Sequence, residues 1–98
     1  KVSGLDEEDH LVLANIADRM RICKVYNNGV VPKRGVKRWF PWSYLDKSAS
    51  AGLVFNASNY NVDSACLDSA SRLSFLSEAG STAYFNNFQK TEEKIIGL

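Results

Sequence analysis

Side chains able to hold a metal or cycle redox state are scarce. There are two cysteines, Cys23 and Cys66, and one histidine, His10, among 98 residues. That is too few ligands, at the wrong spacing, for a zinc site, and no CxxC pair is present to run thiol–disulfide exchange. No metal or other cofactor is therefore expected. The motif GxSxG is missing, and the six glycines form no phosphate-cradling loop. His10 stands beside Glu7, Glu8 and Asp9, in what reads as an exposed helical turn. Nothing here assembles a nucleophile with a base, so the chain is read as non-enzymatic. No apolar run reaches the roughly 18–20 residues that span a bilayer, and "LVLANIA" and "GLVF" are core-sized. Signatures of RNP, KH, zinc-finger and helix-turn-helix modules are also missing. There is no internal repeat and no long linker.

What is present suits one folded domain covering residues 1–98. A hydrophobic fraction of 45% with five Phe, four Tyr and two Trp can build a core at this length, and 23% charged residues is ordinary. The net charge of +1 conceals three blocks. Residues 1–18 carry net −4, residues 19–38 carry seven basic and no acidic residues, and residues 39–98 carry net −2. Separation of this kind steers charged partners even when the total is near zero.

Residues 3–28 read as a helix. Ser3 or Asp6 supplies the N-cap, acids fill the first turn, and Leu13, Ile16, Ala17, Met20 and Cys23 form an apolar stripe, with Leu11 and Ile22 on the other side. Arg19, Arg21 and Lys24 suit its C-terminal end. Asn28-Gly29 supplies a left-handed stop; the alternative is a strand over "RICKVY" entering a hairpin turn. "VKRWFPW" reads as a strand with Pro41 at an edge, and "LVFNAS" as a second strand. A second helix is expected over about 62–79, with Val62, Cys66, Ser69 or Ala70, Leu73 and Leu76 as its stripe and Gly80 closing it. "STAYFNNF" reads as a last strand, and "TEEKIIGL" as a tail or short helix. The resulting fold class is α+β, with two helices packed on a small, mainly antiparallel sheet.

The densest chemistry lies in "PKRGVKRWFPWSY", residues 32–44. Arg34, Lys37 and Arg38 can neutralise phosphates, and Trp39, Trp42 and Tyr44 can stack or anchor. Alternation along a strand puts Trp39 and Phe40 on opposite faces, so at least one ring is expected in the core. The partners that fit are an anionic surface, either nucleic acid or membrane headgroups, or another protein. A second reading is a small secreted toxin-, effector- or inhibitor-type protein closed by a Cys23–Cys66 disulfide. Asn56-Ala57-Ser58 is a glycosylation sequon in that setting. The start at "KVSGLDEEDH", without Met or a signal-like segment, fits a processed protein or an excised fragment alike. Secretion is slightly favoured over the cytoplasm, although the pairs Lys33-Arg34 and Lys37-Arg38 invite dibasic proteases. A third reading is a structural subunit of an oligomer or larger assembly, with the aromatic stretch as its interface.

Overall fold

Acids at the front of a helix and an Asn-Gly step behind it give the first element its limits. In a computed structural model describing residues 3–45, 53–62 and 69–96 (side chains 44–45 and 53–56 excepted), helix α1 runs Glu7–Tyr26. Asp6 and Asp9 form a reciprocal capping box, each accepting from the other's backbone N–H at 2.9 and 3.1 Å. At the far end Asn28 (φ 53°) and Gly29 (φ 78°) adopt left-handed conformations, and the Gly29 N–H donates to the Lys24 carbonyl at 2.7 Å.

Strands β1 (Arg38–Leu45) and β2 (Leu53–Asn61) pair antiparallel, Arg38 opposite Asn61 and Trp42 opposite Ala57, with a bulge between Trp42 and Ser43. On its other edge β1 exchanges both backbone hydrogen bonds of Trp39 with Phe75, at 2.7 and 2.8 Å. Helix α2 (Glu78–Asn87) follows, and Phe88 joins it to α3 (Gln89–Ile95). α2 packs on both strands and α3 packs on α1. The described residues form a small α+β domain with three helices and a two-stranded antiparallel sheet.

Two elements differ from expectation. "STAYFNNF" is helical: Ser77 caps α2 by accepting from the Gly80 N–H at 3.0 Å, and Ser81, Tyr84 and Phe85 are buried together. That spacing is one face of a helix, and two adjacent buried aromatics cannot lie on one side of a strand. Gly80 thus opens a helix instead of closing one. A Cβ there would meet Ser77 Oγ at 3.1 Å.

The helix expected over 62–79 is not formed across 69–77, which is turns and an extended bridge; residues 63–68 lie outside the described residues. Side chains of α1 and of its C-cap Asn27 occupy the backbone groups that a helix would use internally. Arg19 Nε donates to the Leu73 carbonyl at 2.9 Å, and Asn27 Nδ2 to the Ser74 carbonyl at 3.0 Å. Asn27 Oδ1 accepts from the Leu76 N–H at 2.9 Å. Asn27→Ala strips two partners from this segment at once, and stability is expected to fall by about 2 kcal/mol. In a domain of this size that lowers Tm by roughly 10 °C. A melt within a degree or two of the parent would show that solvent satisfies the segment.

The core comprises Cys23, Leu73, Phe75, Tyr84 and Phe85, with Ile22, Tyr26 and Trp39 half-buried against it. Tyr26 meets Phe75 edge-on at 5.9 Å, and Phe75 lies 5.2 Å from Tyr84. Ile22 therefore joins the core, while Leu13, assigned to the buried stripe, is exposed. The reason is Arg19, which occupies the core-facing position and is fully buried.

Candidate binding surface

Loop 27–37 carries the chain from the end of α1 to the start of β1. Pro32 is buried and anchors it, and a turn at 33–36 closes with the Val36 N–H on the Lys33 carbonyl at 3.2 Å. Gly35 (φ 85°) supplies the left-handed backbone that this turn requires. The turn pushes Lys33, Arg34 and Lys37 into solvent. Among the described residues none of the three is in an ion pair. Lys37 instead lies over two rings, its Nζ 4.4 Å from the centroid of Tyr60 and 5.9 Å from that of Trp39.

The hairpin register sorts the rest. Trp39, Pro41, Ser58 and Tyr60 share the face toward the core and α2. Trp39 and Tyr60 pack at 5.0 Å, Pro41 is buried, and Ser58 Oγ bonds Ser81 Oγ (3.0 Å) and Thr82 Oγ1 (2.8 Å). The other face carries Arg38, Phe40 and Trp42 on β1 opposite Asn61, Asn59 and Ala57 on β2. Arg38 is half-buried and donates to the Val62 carbonyl at 3.4 Å, whereas Trp42 is 56% exposed. Arg38 and Trp42 thus share one face of the hairpin, Lys37 lies over the rings of the opposite face, and Arg34 sits in the turn that leads into β1. Trp39 is the ring that goes to the core. Tyr44 belongs to β1, its side chain outside the described residues.

The remaining candidates lie apart. Asn56 is in β2, its side chain outside the described residues, and the sequon's Ser58 hydroxyl is engaged with α2. Cys23 is a free, buried thiol, and Cys66 lies outside the described residues. Burial pushes the Cys23 thiol up to about 11, even with Arg19 nearby to favour the thiolate. His10 sits in the first turns of α1, away from any cluster of metal ligands among the described residues. No helix among them is long and apolar enough to cross a membrane.

Sequence reasoning missed a buried polar cluster. Arg19 Nη1 contacts both oxygens of Glu92, at 3.0 and 3.3 Å, and Tyr84 Oη donates to Glu92 Oε1 at 2.6 Å. The guanidinium lies 5.3 Å from the centroid of the Tyr84 ring. The cluster is closed to solvent, and its carboxylate and guanidinium are engaged with each other. It ties α3 to α1 and removes Arg19 from the cationic surface. Arg21 is partly spent as well, in an exposed pair with Asp18. Of the basic block at 19–38, Lys24 on the last turn of α1 and the cations of 33–38 stay accessible.

Comparisons with family models, with characterised proteins and with solved structures find no match to this chain.

Proposed function

We propose that this domain is a non-enzymatic binding module whose surface over residues 33–42 takes an anionic partner. The observation that carries the reading is the solvent-exposed trio Lys33, Arg34 and Lys37, in a turn whose shape is set by Gly35 and Pro32. Three cations held close together without acids between them raise the local potential. They favour a partner that brings several negative charges at once. The acidic cluster Asp6–Asp9 sits at the opposite end of α1 from the start of the loop, about 30 Å along a helix of this length. Trp42, exposed on the adjoining strand, adds apolar contact area.

The test is a salt titration of binding to a short single-stranded oligonucleotide. With Arg38 included, four cations contact at most four phosphates. Log K is then expected to fall against log salt with a slope of about −2 to −3, or roughly 16- to 64-fold in affinity between 50 and 200 mM. Lys33→Ala with Arg34→Ala should flatten that slope by about half. Affinity that does not respond to salt, or that survives the double substitution unchanged, would remove the anionic partner from consideration.

A further inference from the structure

We propose that the hairpin face turned away from α2 is a stacking platform for single-stranded nucleic acid, with Phe40 and Trp42 receiving bases and Arg38 and loop 33–37 holding the backbone. This rests on the polyanion reading above and names its partner. Arg38, Phe40 and Trp42 alternate along β1 and so share one face, opposite Asn61, Asn59 and Ala57. Alternate residues of a strand stand about 6.8 Å apart, so a cation and two rings lie in a straight row. None of these six residues is acidic.

The row has a polarity. Its Arg38 end adjoins Lys37, Arg34 and Lys33, and its Trp42 end is the exposed one. Trp42 is 56% exposed beside a small neighbour, Ala57, which leaves its ring open to a planar ligand. The bulge immediately after Trp42 is a device that re-aims a side chain and ends regular pairing. An indole on a strand otherwise packed against α2 is not required by the core, which is closed by Trp39 from the opposite face.

Charge complementarity and the neighbours of the rings select the partner. A strand of nucleotides brings phosphates at the loop and flat, polar-edged bases along the face. The exposed Asn59 beside Phe40 offers an amide to those edges. Duplex DNA hides its base faces and cannot use the rings.

The experiment compares an oligothymidylate with an abasic strand of equal length, which has the same phosphates and no bases, and adds vesicles of anionic phospholipid. The expected result is that the oligothymidylate binds about 10- to 100-fold tighter than the abasic strand, the scale of one or two base–aromatic stacks. Trp42→Ala should erase that advantage, and Trp42→Phe, which keeps a ring, should restore most of it. Trp42 is exposed, so neither substitution threatens the fold. Equal, salt-sensitive affinity for both strands overturns the platform and leaves the polyanion reading standing. No binding to either strand overturns both. Trp42-dependent binding to the vesicles with no preference for thymidylate overturns the platform in favour of a membrane surface.

Discussion

Arg19→Met is expected to lower the stability of this domain by about 3–5 kcal/mol, the largest single-residue effect we anticipate. The substitution keeps most of the apolar stem and removes the charge. Glu92 is then left buried without a countercharge, keeping only the Tyr84 hydroxyl, and the Leu73 carbonyl loses its 2.9 Å donor. A buried charge without a partner is much worse than no charge. The companion variant therefore decides the cause. Arg19→Met with Glu92→Leu removes both charges and should recover at least half of the loss, because the desolvation cost disappears along with the attraction. Urea midpoints of the parent, both singles and the double form the cycle. Small domains hold about 5–15 kcal/mol in total, so Arg19→Met alone leaves a protein close to its threshold. A midpoint for Arg19→Met equal to the parent's would mean that water reaches the pair. α3 would then be held to α1 by apolar contact alone.

That pair also marks where sequence reasoning stops. Caps are local: the acids at 6–9 and the Asn28-Gly29 step set α1 within a few residues of its ends, and both are visible in the chain as written. The hairpin strands are equally local, because aromatic and β-branched residues cluster in "VKRWFPW" and "LVFNAS". Segment 69–88 is not local. Ser69, Leu73 and Leu76 carry helical spacing, yet the backbone there is claimed by Arg19, Asn27 and Trp39, which lie 36 to 54 residues earlier in the residue pairs concerned. Tyr84, Phe85 and Phe88 have strong strand preference, and the capping Ser77 with the buried face of Ser81, Tyr84 and Phe85 overrides it. One clue to Arg19 was available: it falls between Ile16 and Cys23 on the helix's inward side. Its partner, 73 residues away, had no such signal.

The cationic surface was more readable. Pro and Gly around "KRGVKR" announce an exposed turn, and turns of this kind place their charges in solvent. What the chain alone did not give was which of seven basic residues remain available. Burial of Arg19 and the Asp18 partner of Arg21 thin the block to Lys24 and the cations of 33–38. The strand register then divides the rings, Trp39 to the core and Trp42 to solvent, a division that alternation required without saying which ring went where.

Alkaline pH is expected to weaken the fold by about 3–4 kcal/mol between pH 8 and pH 11, through two groups of the same buried cluster. Cys23 loses its proton near 9.0 in an unfolded chain and near 11 in the folded one, mainly because burial penalises the thiolate. Between those values the unfolded chain has released a proton that the native state still holds. Stability therefore falls as pH rises, by about 2 kcal/mol by pH 11. Below pH 9 both states hold the proton and the contribution is constant. Tyr84 acts in the same direction from a higher starting point. Burial, followed by the neighbouring Glu92 charge and the hydrogen bond to it, pushes its phenol well above 10.0, so its share is lost only above pH 10. The check is a series of urea midpoints from pH 8 to 11 for the parent, Cys23→Ala and Tyr84→Phe. Cys23→Ala should start less stable at pH 8 but lose little between pH 9 and 10, and Tyr84→Phe should flatten the last unit only. Parallel curves for all three proteins would show that neither group keeps its proton in the folded state, and that solvent enters the space between α1, α2 and α3.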